Sequence, residues 1–288
     1  MELPLHVPET RPRPGPRSRA RHQGLDGAAH REDWVATEEP LEIRVSAGGA
    51  RTVTSVTMRT PGNDIELAVG FLHGEGILRH RDQLLQARYC VDRSLSEEQQ
   101  YNVVTVDLRG PAPTTLDRLD RHFHVTSACG VCGTQSLDEL ADRGLQPVTT
   151  STTVRADVIA GLPASLTASQ DLFATTGGLH AAALFDADGN LLEVREDVGR
   201  HNAMDKLVGW ALLEDRLPLD GPVLVSGRVS FELVQKAAAA GVPVLAAVSA
   251  PSSLAIETAE RFGVTLVAFL RDGAGNVHTH AERVTTAA

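Results

Sequence analysis

The C-terminal half of the chain alternates between apolar runs of strand length and amphipathic segments of helix length. Apolar runs stand at 181–186, 223–225, 242–248 and 264–270. Amphipathic segments at 231–240 and 254–262 predict helices between the last three of these runs. Because continuous apolar strands are separated by helices, we expect an α/β fold whose parallel sheet is covered on both faces.

Further elements are predicted between the first apolar run and the second. The polar turn 186–189 and the apolar return at 191–194 predict a β-hairpin. Apolar residues at helical spacing from Met204 to Leu212 then predict an amphipathic helix. Asn202 is the expected N-cap of this helix, because its short side chain can accept a hydrogen bond from the first turn.

The N-terminal part shows the shorter period that is typical of strands. Alternating polar and apolar residues at 41–45 and 52–58, and a β-rich run at 101–108, predict strands. A helix is expected to begin at Asn63 and Asp64 and to end where two glycines follow its last apolar positions. This part is therefore expected to be a smaller, β-rich α+β unit.

A segment between these two parts carries most of the thiol groups of the chain. Cys129 and Cys132 form a single Cys-x-x-Cys within the loop 127–133, among serine, alanine and glycine. Ser136 and Glu139 form a capping box, which predicts a helix just after the second cysteine. Free N–H groups and the dipole at a helix N-terminus favour a thiolate, so this pair suits sulfur or redox chemistry.

Composition narrows the possible functions. The 288 residues are 42% hydrophobic but only 4% aromatic, so aliphatic side chains must fill the core. A net charge of −10 disfavours a nucleic-acid partner. Three cysteines are too few for a disulfide framework and favour a cytoplasmic location. No apolar run reaches the ~18 residues of a membrane span, so no membrane partner is expected.

Small and positively charged residues follow three of the predicted strands, at 226–228, 249–252 and 271–275. Ligands of α/β sheets bind at the carboxyl ends of strands, and the helix N-termini that follow favour anions. The three loops together predict a phosphate-bearing ligand such as a nucleotide. Two polar clusters, 175–180 and 196–206, add a dense group of titratable residues to the same half of the chain.

These patterns divide the chain into four parts. Residues 1–33 are rich in proline, arginine and polar groups, and are expected to be a disordered tail because they have little apolar surface to bury. Residues 34–110 form the β-rich part, and 111–150 hold the cysteine loop with its connecting helix. Residues 151–288 are expected to be the α/β cofactor-binding domain.

Other chemistries of the cysteine pair remain open. A structural zinc ion needs four ligands, which Cys129, Cys132, Cys90 and one histidine could supply. A hydrolytic zinc deaminase is disfavoured, because two alanines follow His180 where that motif has a glutamate, and because the cysteines precede the histidine. A thioredoxin-like redox pair is a second interpretation, although such a motif normally follows a first strand near a βαβ pattern.

Several motifs, in order along the chain, closely resemble the formate dehydrogenase accessory sulfurtransferase family, FdhD. These motifs are the segments 60–64, 70–77, 127–133, 176–182, 196–206, 226–228 and 249–252. The resemblance extends from about Leu41 to His280 and leaves the N-terminal tail outside it. So many motifs in one order make the resemblance specific.

The resemblance implies a function, a fold and partners. Members of the family accept sulfur from a cysteine desulfurase as a persulfide and pass it to a molybdenum or tungsten cofactor, a bis(molybdopterin guanine dinucleotide). The sulfurated cofactor then serves formate dehydrogenase. By this resemblance Cys129 carries the persulfide, Cys132 assists, and no permanent metal is bound. It also implies a homodimer and a cytidine-deaminase-like, three-layer α/β domain beside the smaller N-terminal part.

The resemblance also implies cofactor contacts. They map onto Phe269, Leu270, Arg271, Asp272, Gly273 and Ala274. The residue patterns add two expected cofactor contacts, His201 of the polar cluster 196–206 and Arg228 of the strand-end loop 226–228. Family members often carry a second basic residue where this chain has Ala274, so Arg271 or backbone N–H groups would have to compensate. A different class of function, a cofactor-binding chaperone without sulfur transfer, needs the same loops but no reactive cysteine.

Overall fold

The computed structural model of the protein describes residues 15–23, 25, 31–48, 50–90, 100–110, 137–138, 140–141 and 144–286. Its first elements are β1 (Arg17–His22) and β2 (Arg31–Ala36), which pair antiparallel as a two-stranded ribbon. The structure differs here from the disordered tail expected over 1–33. The difference arises because arginine side chains of β1 stack on the Trp34 ring of β2, a contact that composition does not reveal. The four-part division of the chain stays a prediction.

The β-rich part is a four-stranded sheet. Its strands are β3 (Glu39–Ala47), β4 (Ala50–Arg59), β5 (Leu84–Tyr89) and β6 (Val103–Leu108), in the order β4-β3-β6-β5. Helix α1 (Asp64–Gly74) packs on it, and Leu41, Ile43 and Val45 of β3 are buried in one cluster with Leu67 and Leu72 of α1. The predicted strands at 41–45 and 52–58 are confirmed, since they lie within β3 and β4, and buried residues alternate along β3; β5 was not predicted.

The next described elements are β7 (Val154–Arg155), α2 (Ala156–Ala168) and α3 (Asp171–Thr176). The sequence patterns used above predict no helix over 156–168, and Pro163 lies inside α2. Ile159, Leu162 and Leu166 nevertheless recur at helical spacing and are buried. Packing against the larger sheet therefore stabilises a helix that local signals disfavour.

The larger sheet has six strands within the described residues. These are β8 (His180–Phe185), β9 (Leu191–Asp197), β10 (Val223–Val225), β11 (Val244–Ala247), β12 (Thr265–Arg271) and β13 (Ala274–Val277), in the order β13-β12-β11-β10-β8-β9. A short β14 (Val284–Thr285) pairs with β7. Strands β10, β11 and β12 are parallel, as predicted. The prediction is wrong for β8, which lies antiparallel to both β9 and β10. Strand β13 was not predicted; a short hairpin turn joins it to β12, so these two strands are antiparallel.

Helices cover both faces of this sheet. On one face lie α4 (Arg200–Leu213), α5 (Phe231–Ala239) and α6 (Ser253–Arg261), with Leu207 and Leu233 packed in one cluster with Leu245. On the other face lies α2, whose Leu162 packs in one cluster with Phe185 of β8. The mixed α/β fold is thus confirmed, while its cytidine-deaminase-like character stays a prediction. None of the helices in the described ranges is both long and apolar enough to cross a membrane.

The two sheets are joined where α1 crosses α4. A Cβ atom at Gly70 would lie 1.9 Å from the Asp205 carbonyl oxygen, and one at Gly209 would lie 1.8 Å from the Glu66 carbonyl oxygen. The helix backbones therefore touch at positions where any side chain would force them apart. Arg195 of β9 also pairs with the Glu66 carboxylate, with Nη2 at 2.9 Å from Oε1. This joint fixes the small sheet against the elements that carry the candidate site.

Candidate functional site

Four strands of the larger sheet end at one edge. Because β9 is antiparallel to β8, and β8 to β10, strands β9 to β12 all run in one direction. Helices α4, α5 and α6 begin directly after β9, β10 and β11. We call the residues at these strand ends, 198–201, 226–230, 248–252 and 269–273, together with His180 at the start of β8, the carboxyl edge. Three helix dipoles therefore point their positive ends at this edge, which favours a negatively charged ligand.

His180, Gly227 and Arg200 meet at the carboxyl edge. The hydroxyl of Ser226 accepts a hydrogen bond of 2.9 Å from the Ala181 N–H, which holds the loop against the start of β8. A Cβ atom at Gly227 would lie 3.2 Å from His180 Nδ1 and 3.4 Å from Arg200 Cδ. Glycine therefore leaves a shallow cradle between the imidazole and the guanidinium stem. Arg228, the next residue, is exposed.

Arg200 is the first residue of α4 and is half-buried. Its Nε atom is buried and has no hydrogen-bond partner among the residues that the structure describes. A buried N–H donor without a partner is costly, and an anionic oxygen is the partner that a guanidinium binds best. The carboxyl edge therefore offers a donor that fits a phosphate or carboxylate ligand.

The two histidines of the edge are held neutral. Burial, followed by the charges of Arg200 and Arg228, lowers the pKa of His180. Burial, followed by the charges of Arg200, Lys236 and His180, lowers the pKa of His201 to about 3. At neutral pH the positive charge of this cluster therefore resides on its two guanidinium groups.

His201 does not belong to a nucleophilic triad. Its Nε2 atom lies 3.0 Å from Ser230 Oγ and 3.1 Å from Glu232 Oε2. In a serine–histidine–acid triad the hydroxyl and the carboxylate contact different ring nitrogens. Here both oxygens approach the same ring nitrogen. Because a carboxylate oxygen can only accept, this nitrogen of the neutral ring carries the proton, and it cannot act as a base toward the Ser230 hydroxyl.

Half of the polar cluster 196–206 belongs to a buried joint rather than to the edge. The Asp197 carboxylate is fully buried and accepts from Lys206 Nζ at 2.7 Å and from Thr60 N at 3.1 Å. It also accepts from Gly199 N at 2.8 Å and from Asn202 Nδ2 at 3.1 Å. The expectation that Asn202 caps the helix is wrong, because α4 begins at Arg200 after Gly199 and the Asn202 amide turns inward to Asp197.

A second buried ion pair follows along α4. Asp205 accepts from Lys236 Nζ of α5 at 2.7 and 3.0 Å. Burial raises the pKa of Asp205 to about 6, although the charge of Lys236 acts in the opposite direction. Lys206 and Lys236 are the only lysines of the chain, and both are buried in ion pairs. Asp197, Asn202, Asp205 and Lys206 of the cluster 196–206 are buried in these networks, whereas Arg200 and His201 are half-buried at the carboxyl edge.

The predicted contact segment 269–274 forms the end of β12 and its turn into β13. Arg271 pairs with Ala274 across a two-residue turn in which Asp272 and Gly273 have φ of 52° and 75°. Arg271, Asp272, Gly273 and Ala274 are exposed, whereas Leu270 is buried. The structure thus presents the backbone and the Arg271 side chain of this turn to solvent.

Phe269 links this turn to the rest of the carboxyl edge. Its φ is 59°, its N–H donates to the Ser249 carbonyl at 3.2 Å, and its ring centre lies 6.4 Å from that of His278. The Nε2 atom of His278 is buried without a hydrogen-bond partner among the described residues. Sequence reasoning missed His278, because it stands alone after a weak strand pattern.

The predicted sulfur residues Cys129 and Cys132 lie outside the described residues, as does the capping box of Ser136 and Glu139. Within the described ranges, no group of three or more histidine, cysteine or acidic side chains could hold a metal ion. The zinc alternative depends on the two undescribed cysteines, and it stays a prediction.

A cleft of about 270 Å³ lies away from the carboxyl edge, at the C-terminal ends of α1 and α5. His73, Glu75, Arg79, Leu145 and Gln235 line part of it. His73 is buried, and its two ring nitrogens lie 2.9 Å from the Leu78 carbonyl oxygen and 3.0 Å from that of Ala239. Because α5 begins at the carboxyl edge and ends at this cleft, the cleft is separate from the candidate site.

Comparison with known proteins extends over nearly the whole chain. Residues 36–285 match the model of the FdhD/NarQ family. A protein named Sulfur carrier protein FdhD from Mycobacterium bovis is 51% identical over 273 residues, with 93% of this chain and 97% of that protein aligned. The same name belongs to a Streptomyces coelicolor protein that is 50% identical over 263 residues, with 90% of this chain and 92% of that protein aligned.

A solved structure shares the fold. It is the crystal structure of a candidate formate dehydrogenase accessory protein from Desulfotalea psychrophila, with a TM-score of 0.69. The two sequences are 24% identical, and the match covers 93% of this chain and 98% of that one. At this identity the likeness supports the arrangement of sheets and helices described above.

Proposed function

This chain belongs to the FdhD/NarQ family, and from that premise we propose that it is a sulfur carrier required for the maturation of formate dehydrogenase. Relatives that are about half identical over almost their whole length are named sulfur carriers. The motifs that carried the resemblance lie within the matched range 36–285, so the resemblance to FdhD drawn from the sequence is confirmed.

We propose that sulfur travels as a persulfide on Cys129. The Cys129 thiolate attacks the outer sulfur of a persulfide on a cysteine desulfurase. The S–S bond of the donor breaks, a new S–S bond forms on Cys129, and the cysteine of the donor leaves as a thiolate. Cys132 assists by attacking the inner sulfur of the Cys129 persulfide. The S–S bond of the persulfide breaks, a Cys129–Cys132 disulfide forms, and the outer sulfur leaves at the oxidation level of sulfide to the molybdenum cofactor, which is the substrate of the carrier.

The observation that carries the cofactor part of the proposal is the buried Arg200 Nε donor beside the Gly227 cradle. A guanine dinucleotide brings phosphate groups, and a guanidinium binds phosphate with charge-assisted hydrogen bonds. Arg228 and Arg271 stand exposed on neighbouring loops of the same edge. Since His180 and His201 are neutral, they orient the ligand by hydrogen bonding and the arginines supply the charge.

Two features of the turn 271–274 bear on this role. Ala274 has no side-chain donor, so the basic residue that family members often have there is missing. Arg271 is exposed at the start of the turn, and the backbone of Asp272 and Gly273 has positive φ. We propose that Arg271 and the exposed N–H groups of this turn replace the missing contact.

The first experiment tests sulfur loading. The full chain is incubated with a cysteine desulfurase and cysteine, and its intact mass is measured without reductant. We expect a gain of one sulfur in the wild type and in the matched control Cys90→Ser, and no gain in Cys129→Ala. A wild-type gain that persists in Cys129→Ala would contradict the role of this residue.

The second experiment tests the anion site with guanosine diphosphate as the probe. Arg200→Met should weaken its binding at least tenfold in calorimetry, because the buried donor is lost. Arg216→Met is the matched control, since Arg216 is an exposed arginine just beyond the other end of α4. If both variants bind guanosine diphosphate equally well, Arg200 is not part of the anion site.

The alternative function is a cofactor-binding chaperone that performs no sulfur transfer. It is favoured by the same anion site and does not involve the cysteines. The two experiments distinguish the functions, because the chaperone would bind the nucleotide through Arg200 and gain no sulfur from the donor.

Assembly and location complete the proposal. We propose a homodimer in the cytoplasm, where a reducing environment keeps thiols available. Light scattering during gel filtration should give twice the mass of the chain, and a monomer mass at micromolar concentration would contradict this.

A further inference from the structure

The β1–β2 ribbon presents a row of arginines on one face. Alternate residues of a strand point to the same side, so Arg17, Arg19 and Arg21 share a face. Arg19 stands directly opposite Trp34 in the antiparallel register, which places the indole on that face too. The chain has a net charge of −10, yet positions 11–21 contain five arginines and no acidic residue.

The indole holds two of these arginines in place. The guanidinium carbons of Arg17 and Arg19 lie 4.8 and 4.9 Å from the centre of the Trp34 ring, which is cation–π distance. A stacked guanidinium keeps its N–H groups at the rim of its plane, where they can donate to an oxyanion. Arg19 also donates to Glu32 at 3.0 Å, whereas Arg17 has no carboxylate partner among the described residues.

The ribbon lies next to the candidate site. Strand β2 packs on α3, and a Cβ atom at Gly178 would lie 3.8 Å from Ala36 Cβ. Two residues after Gly178, His180 begins β8 at the carboxyl edge, and Arg17 pairs with Ala36. Backbone spacings then place the Cα atoms of Arg17 and His180 within about 20 Å of each other. A dinucleotide is long enough to contact both.

We propose that Arg17, Arg19 and Trp34 form a second phosphate subsite, which extends the carboxyl edge toward the distal part of the nucleotide-bearing substrate. This inference rests on the proposed function, because it assigns a second contact to the same ligand. The matched family range begins at residue 36, so β1 and most of β2 lie outside it.

The experiment measures binding of guanosine diphosphate and of guanosine to the full-length chain by calorimetry. We expect the double variant Arg17→Ala/Arg19→Ala to bind the diphosphate about tenfold more weakly and guanosine about as well as the wild type. Arg21→Ala is the matched control, because Arg21 shares the strand face but has no contact with the Trp34 ring among the described residues. It should bind within twofold of the wild type. Thermal unfolding of each variant checks that the exposed substitutions leave the fold intact.

A further variant separates the ring from the charges. Trp34→Phe keeps an aromatic face under the guanidiniums and should retain most of the binding, whereas Trp34→Ala should lose about as much as the double variant. If Arg21→Ala loses as much affinity for guanosine diphosphate as the double variant, the ribbon acts only through its overall positive charge, and the proposed subsite is wrong.

The remaining outcomes distinguish the subsite from the proposed function. If the double variant binds the diphosphate normally while Arg200→Met does not, the subsite is wrong and the proposed function stands. If the wild type binds no diphosphate, the nucleotide part of the proposed function and the subsite fail together, while sulfur loading is judged by mass. If a polyglutamate peptide binds through the ribbon and the diphosphate does not, the ribbon serves an acidic protein partner and the proposal is overturned.

Discussion

The crossing of α1 and α4 yields a sharp stability prediction. Gly209→Ala places a methyl group 1.8 Å from the Glu66 carbonyl oxygen, whereas ordinary contact begins at 3.4 Å. The atom that is met belongs to a helix backbone and cannot rotate away. The two helices must therefore separate by roughly 1.5 Å, or the backbone must distort locally, in an interior that is packed like a crystal.

The magnitude follows from two opposing effects. Overpacking, together with weaker van der Waals attraction across the widened interface, costs about 3 kcal/mol. Alanine has a higher helix propensity than glycine, which returns about 1 kcal/mol. We therefore expect Gly209→Ala to lower the free energy of unfolding by about 2 kcal/mol, and Gly70→Ala to do the same for the same geometric reason.

The assay is urea unfolding followed by circular dichroism, with Gly161→Ala as the matched control. Gly161 lies in α2, is exposed, and a Cβ atom there would meet nothing within 4 Å. This control should gain roughly 0.5–1 kcal/mol from helix propensity alone. If Gly209→Ala is as stable as the control, the close backbone contact between α1 and α4 does not exist, and the two sheets are not joined through this crossing.

Two further predictions concern buried titratable groups. Lys206 and Lys236 are the only lysines, and their side chains are 2% and 9% exposed. An amine-reactive ester should therefore modify the folded chain at its N-terminus alone. Lysine adducts in the mass spectrum of the folded protein would contradict the burial of these two side chains. His201 should stay neutral down to about pH 3 in an NMR titration. Because the unfolded chain takes up this proton near pH 6.5, the contribution of His201 to stability should be lost as the pH falls from 6.5 toward 3, and His201→Gln should reduce that loss. A His201 signal that titrates near 6.5 would contradict this.

Much of the fold could be predicted from hydrophobic periodicity. The helices α4, α5 and α6 and the strands that alternate with them were predicted, because each buries one continuous apolar face. The ribbon β1–β2 and helix α2 were not predicted, since they depend on contacts made across the structure. Trp34 stabilises the ribbon by stacking under arginines, and α2 is helical despite Pro163 because three of its residues pack against the sheet.

The candidate site was predicted only in part. The strand-end loops do lie together at the carboxyl edge, because parallel strands end on the same side of a sheet. The density of titratable residues at 196–206 indicated a single site, yet the structure divides it. Charge density cannot distinguish a buried ion pair from a binding residue, because both use the same side chains. Burial makes the distinction, since Lys206 and Asp205 are only 2% and 3% exposed while Arg200 reaches the edge.

The division of this cluster has a consequence for how the site is held together. The Asp197 carboxylate accepts from Thr60 of the small part and from Gly199, the residue just before Arg200. Lys206 binds the same carboxylate and also donates to the Thr60 carbonyl at 2.9 Å. One buried network therefore sets the start of α4 and ties it to the loop after β4. The small β-rich part is thus a structural support of the Arg200 donor, because the network that positions this donor draws its groups from both sheets.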